Sequence, residues 1–263
     1  MTRSLLQDYR DSLRHPEFWI YATWLELVTK YRRSKLGILW ALMPPFLYAF
    51  GVGWFFGMLQ GVDPIEFIPH LGIGYVVFRL VTVAISESTT ACATHASFIM
   101  DGRTRLTDYV LRVVAKALFY FVLATPVITI ALVMSGSVSL AGVMVAVPAL
   151  LIVLLNIAWI GAVVAVVGAR FPDVSQLVGS ALMFSFLFTL IIWQASQVPL
   201  GTMRGTIARA NPLFHFVEIV RAPLLEQPLE RLSIVYVAVL TVLGWGVAAW
   251  VYRRYAKFVP MWV

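Results

Sequence analysis

The chain has 263 residues, 60 % hydrophobic and 13 % charged, with a net charge of +7 and a mean hydropathy of +0.85. These values exclude an ordinary soluble domain and fit an all-α integral membrane protein. The basic excess does not mark a nucleic-acid binder, because lysines and arginines gather at the ends of apolar runs and not on a polar face.

Residues 1–35 carry charge throughout and lack an apolar leader core, so no cleavable signal peptide is expected. His15-Pro16-Glu17 reads as a helix start, with proline tolerated in the first turn and an acid favoured by the helix dipole. Phe18, Tyr21, Ala22, Leu25 and Val28 follow at helical spacing as far as about Lys30. This amphipathic helix is expected in the membrane interface, with a cytosolic helix as the alternative. Lys30, Arg32, Arg33 and Lys35 then stop abruptly, and no charge appears from Leu36 to Leu59. Arg32, Arg33 and Lys35 are thus expected to anchor the chain at the interface.

Six spans are expected, all in a single transmembrane domain. The first covers 36–60, where Pro44-Pro45 removes two backbone donors and should kink the helix. An outer loop over 61–67 leads to the second, 69–88, which Arg79 and Glu87 interrupt. A polar, basic segment over 89–112 precedes the third, 113–134, which Ser135-Gly136-Ser137 closes. The fourth and fifth cover 141–168 and 177–195. Residues 196–232 hold four prolines with mixed charges and do not read as a simple span; the sixth, 232–252, leads into a basic tail over 253–263. Six crossings return both termini to one face. Fourteen lysines and arginines fall near span ends on that face and four on the other, so both termini are expected in the cytoplasm.

Arg79 and Glu87 are eight residues apart, two turns along one helix face and about 12 Å at 1.5 Å per residue. Each is expected to face a polar cavity or a neighbouring helix, unless Glu87 already lies at the interface. Trp54, Trp250 and Trp262 suit interfacial belts, whereas Trp40, Tyr48, Tyr75 and Trp193 are candidates to line a conduit. The four histidines, His15, His70, His95 and His215, are scattered and read as structural hydrogen-bonding residues. The single cysteine, Cys92, excludes an intrachain disulfide. No phosphate loop of the G-x-x-x-x-G-K-[ST] type, metal-ligand spacing or clustered catalytic set is present, so no cofactor, metal or catalytic residue is assigned.

Tyr31-Arg32-Arg33-Ser34-Lys35-Leu36-Gly37-Ile38-Leu39-Trp40-Ala41-Leu42 resembles the start of the first span in permease subunits of ABC-type polysaccharide exporters, which move O-antigen, capsule or teichoic-acid chains. Arg170-Phe171-Pro172-Asp173-Val174 is similar to that family's loop before the fifth span. Asn211-Pro212-Leu213-Phe214-His215-Phe216-Val217-Glu218, with Arg221, is similar to a segment before the sixth, and Arg253-Arg254 with Trp262-Val263 to its C-terminus. Pro44-Pro45 and Arg79 depart from the family pattern.

The resemblance implies a homodimer around one conduit, with two copies of a separate ATPase that carries ATP and magnesium. Its expected cargo is a lipid-linked polysaccharide, exported across the bacterial inner membrane of a lipopolysaccharide- or capsule-making cell. It also implies an N-terminal interface helix and a coupling helix within 89–112, centred on His95, Asp101, Arg103 and Arg105. Short re-entrant helices over 196–228 would carry an outer gate at Asn211, Pro212, His215, Glu218 and Arg221. The conduit would be lined by Trp40, Tyr48, Tyr75, Arg79, Glu87 and Trp193. Two alternatives stay open: the same fold exporting a lipid, drug or small amphiphile, and a membrane-embedded glycosyl- or acyltransferase.

Overall fold

The structure is a computed structural model, and it describes residues 4–102 and 104–263. It is helical throughout, with no strand among the described residues. Two short helices come first, α1 (Leu5–Arg14) and α2 (Glu17–Tyr31). They are followed by α3 (Gly37–Gln60), α4 (Pro64–Thr94), the short α5 (Ala96–Met100), α6 (Leu106–Met134) and α7 (Leu140–Arg170). After α8 (Val174–Phe188) come α9 (Met203–Ala210), α10 (Pro212–Leu224) and α11 (Arg231–Tyr255), with two helical turns closing the chain.

Among the described residues, five helical stretches are long and apolar enough to cross a bilayer: α3, α4, α6, α7 and α11 with its closing turns. Among them α4 is central. Its most apolar stretch is 78 % buried inside the protein, against 22–39 % for the other four. At 31 residues it is about 46 Å long, well beyond the roughly 30 Å hydrocarbon core. It extends past the expected 69–88 at both ends, so the loop before it shrinks to 61–63, where Gly61 takes a positive φ of 69°. Asp63 caps its first turn by accepting from the Ile65 amide at 2.9 Å. Two glycines of α7 let backbones approach as small residues do in membrane bundles. A Cβ on Gly168 would lie 2.0 Å from the Thr89 carbonyl of α4, and one on Gly142 would lie 2.2 Å from the Pro223 carbonyl of α10.

The double proline distorts α3 as expected. A 3-10 stretch (Gly37–Leu42) enters a short α-helical turn holding Pro44 and Pro45, then a π-helical stretch (Leu47–Val52), before regular helix resumes.

One expectation needs correction. Residues 177–195 are not one helix. At 15 residues α8 reaches only about 22 Å, and the chain turns at 189–193, where Leu190 takes a positive φ of 52°. In α2, Tyr21, Leu25 and Val28 are exposed, while Thr23 and Leu27 are buried where α2 docks on α6. Ahead of it, Leu5–Arg14 is also helical and packed on the bundle. In α1, Leu5 is buried, Tyr9 Oη donates to the Ala158 carbonyl at 2.7 Å, and Asp8 accepts from Tyr252 Oη at 2.6 Å.

Candidate functional site

Two polar clusters hang on α4, one near each end. The first joins α2, α4 and α6. Lys116 Nζ of α6 sits 2.5 Å from the Glu87 carboxylate and 2.7 Å from that of Glu26 on α2. Arg112 holds the other Glu26 oxygen at 2.8 Å and also reaches the His95 ring at the end of α4. His95 Nδ1 is 2.9 Å from the Ala91 carbonyl, and its ring stacks on Tyr109 at 5.0 Å. The chain of contacts therefore begins and ends on α4 while passing twice through α6. Burial pushes the Glu26 carboxyl up, but hydrogen bonds and charge from Lys116 and Arg112 outweigh it and hold it below its ordinary value. Burial, with the Arg112 charge adding to it, lowers the His95 imidazole despite the opposing Ala91 hydrogen bond.

Beside this cluster α3, α4 and α6 enclose a cavity of about 230 Å³, lined by Arg79, Glu87, Lys30, Tyr120, Pro45 and apolar side chains. Arg79 and Glu87 thus face one cavity, as two turns of helix allow. Lys30 Nζ lies 3.2 Å from Tyr120 Oη, and both Lys30 and the Arg79 guanidinium lie over the Tyr120 ring, at 5.3 and 5.8 Å. Tyr48 and Tyr75, the other aromatic candidates on these helices, stack face to face at 3.9 Å, with Phe186 of α8 edge-on at 6.1 Å to Tyr48. They form an aromatic contact between α3, α4 and α8 outside that cavity lining, although Tyr75 also lies within hydrogen-bonding reach of Arg79. Trp40 is half exposed on α3, and Trp193 lies in the turn after α8, lining a different cleft with Arg204 and Ile207.

The second cluster gathers the 211–221 candidates. Asn211 caps α10 by accepting from the Leu213 amide, and its side-chain amide donates to Thr189 Oγ1 at 2.9 Å. Pro212 occupies the first turn of α10, where no amide donor is missed. His215 bridges Ser233 Oγ (2.9 Å) and the Arg209 carbonyl (2.8 Å), and stacks on Tyr236. Arg221 is 1 % exposed and pairs with Glu218 at 2.7 Å. Its Nη1 donates to the Leu190 carbonyl at 3.0 Å and lies 3.2 Å from His70 Nε2 of α4.

These side chains explain how the broken segment after α8 persists inside the bundle. Irregular backbone away from water needs donors for its carbonyls. Arg221 serves Leu190, Gln60 donates to the Ile192 carbonyl at 2.9 Å, and His70 Nε2 sits 3.3 Å from the Trp193 carbonyl. Gly74 makes room, since a Cβ there would lie 3.2 Å from the guanidinium.

Of the 89–112 candidates, residues 89–94 complete α4 and only Ala96–Met100 forms a separate helix. Phe98 and Met100 on it are exposed, Asp101 lies in the exposed turn that follows, and Arg103 lies outside the described residues. Arg105 is turned inward, 3.9 Å from Asp11 of α1. Arg32, Arg33 and Lys35 are exposed in the turn between α2 and α3. Arg170 lies over the rings of Phe171 and Trp262, each at 5.6 Å, so two motifs far apart in sequence meet.

Glu26, Arg112, Lys116 and Tyr120 carry the first cluster, yet none stands in a recognisable motif. A charge count was the available signal. Of twenty lysines and arginines, only Arg79 and Lys116 fall outside the span ends and their flanking segments.

Comparison with known proteins agrees with this architecture. No curated protein matches the chain. Residues 17–225 match the family described as ABC-2 type transporter, a stretch from the start of α2 to the residue after α10. Members of that family are multi-pass transport subunits that work with a nucleotide-binding ATPase. The chain belongs to the ABC-2 type transporter family and is the transmembrane subunit of an ABC exporter.

Proposed function

We propose that this subunit exports a lipid-linked polysaccharide across the bacterial inner membrane, as a homodimer resting on two ATPase subunits that carry ATP and magnesium. The observation that carries the reading is the state of α3 and α8. No residue of α8 is buried, α3 is among the least buried of the long helices, and the aromatic contact of Tyr48, Tyr75 and Phe186 lies where they meet α4. Two poorly covered helices beside an aromatic seam suit a second copy of the chain and a sliding sugar polymer. The four motifs that resemble polysaccharide exporters support the same cargo.

In this reading both termini are cytoplasmic, as the lysine and arginine distribution favours. The α8 segment with the turn after it forms the fifth of six crossings, and α9 and α10 are the re-entrant helices. The exposed Phe98 and Met100 of α5, with Asp101 and Arg103, dock on the ATPase, so that nucleotide-driven closure moves α4 through its continuous C-terminal end.

Purification in mild detergent followed by reconstitution tests the proposal. A co-purifying subunit with a phosphate loop, a dimeric permease and ATP-dependent export that persists as the glycan lengthens are the expected results. Export restricted to short amphiphiles would reassign the cargo, and turnover of a glycosyl or acyl donor without the ATPase would overturn the reading.

A further inference from the structure

Lys30 and Arg79 pose a problem of charge. Both point into the cavity between α3, α4 and α6, and both converge on one neutral ring, Tyr120. Neither has a carboxylate within ion-pair distance among the described residues, because Glu87, the one acid in the cavity lining, is taken by Lys116. Among the described residues, Lys30 and Arg79 in the cavity lining and Arg112 and Lys116 in the adjoining network face Glu26 and Glu87, which leaves two positive charges in excess. Arg79 is half-buried and Lys30 is exposed at the cavity's edge, so two cations without an acid of their own share one small, half-polar cavity that an anion would neutralise.

We infer that this cavity binds a phosphate group. A volume of about 230 Å³ accommodates a phosphate or diphosphate but not a sugar chain. The Arg79 guanidinium suits two phosphate oxygens, Lys30 supplies a movable point charge, and Tyr120 Oη, 3.2 Å from both Lys30 Nζ and Tyr31 Oη, offers a hydroxyl. Pro45, Val76, Val83 and Phe121 form the remaining wall and fit the first methylenes of an acyl or prenyl chain. Lys30 ends the exposed basic run that continues through Arg32, Arg33 and Lys35, so a headgroup arriving at the membrane surface meets a graded series of cations leading inward. The site deepens the export reading, on which its role in cargo handling rests, but binding is measurable without transport.

The test uses the purified permease–ATPase complex in neutral-lipid nanodiscs, titrated with a fluorescent polyprenyl diphosphate, phosphatidic acid and inorganic phosphate. Wild type is expected to bind at least one of them. Lys30→Gln and Arg79→Gln should each weaken binding about tenfold, whereas Arg79→Lys retains most of it. Polyprenyl diphosphate alone at low concentration assigns the site to the substrate carrier, phosphatidic acid alone assigns it to a structural lipid, and inorganic phosphate alone assigns it to the free anion. Each of those results, with the same residue dependence, supports a phosphate site. Equal binding by wild type and a Lys30→Gln/Arg79→Gln double variant, or no binding by wild type, overturns it. Where Arg79→Gln lowers folding yield, Lys30→Gln on the exposed helix end carries the test. Retained ATPase co-purification separates a failed site from a failed export reading.

Discussion

Near the N-terminal end of α4, His70 meets Arg221, which pairs with Glu218, all at most 3 % exposed, whereas near its C-terminal end Glu87 and His95 belong to a network whose carboxylates stay about one third exposed. The cluster around Arg221 serves broken backbone, and its charges have no water to fall back on. The network around Lys116 links three helices through shared partners, so losing any one contact leaves others. The same helix is thus pinned rigidly at one end and tied adjustably at the other, which suits a transporter that must keep one part fixed while another moves.

The sharpest way to break this contrast is Arg221→Ala. It leaves Glu218 buried without a partner and the Leu190 carbonyl without a donor, and should cost about 3–5 kcal/mol, read as a lost cooperative melting transition in detergent. Replacing both partners, as in Arg221→Met with Glu218→Leu, should recover part of that loss, since the unpaired charge is gone while the Leu190 carbonyl stays unserved.

Gly168→Ala comes next. Its Cβ meets the Thr89 carbonyl and must push α7 from the adjustable end of α4, at about 1–3 kcal/mol, measured by thermal unfolding. Gly142→Ala, the equivalent clash against Pro223, tests the rigid side in the same way.

Lys116→Met should cost less, about 1 kcal/mol, because the acids it leaves are partly hydrated and Arg112 still holds Glu26. An equal loss from Lys116→Met and Arg221→Ala would erase the distinction between the two clusters.

The smallest effect is on pH. The Glu26 carboxyl is held low, so its stabilisation is full above the ordinary carboxylate range and is lost as pH falls through its lowered value. The His95 imidazole is also held low, so protonation favours the unfolded chain as pH falls below the ordinary imidazole range. Both groups weaken the fold toward acid. A double variant, Glu26→Gln with His95→Gln, should flatten the acid side of a melting-temperature profile, and an unchanged slope would remove these groups as its cause.

Long apolar runs make most of the architecture legible from residue order. Uniform hydropathy over α7, the basic boundary at Lys35 and the double proline in α3 each carry their structural consequence locally, because a helix in an apolar medium satisfies its own backbone. The turn after α8 was not legible. Residues 177–195 are apolar enough to continue as helix, and what stops them are donors from Gln60, His70 and Arg221, separated from them by more than twenty residues. Lys116 was equally hidden, since its meaning depends on Glu26 and Glu87, which only packing brings to it.

The sequence by itself determined that the chain is helical, membrane-embedded and basic at one set of span ends, since those properties follow from local hydropathy and backbone satisfaction. Only the tertiary structure decided that α4 is the centre, that a fifth expected span breaks, and that Lys30 and Arg79 share a cavity without an acid of their own. The reason is physical: burial and charge pairing are relations between distant residues, and no single stretch of chain contains them.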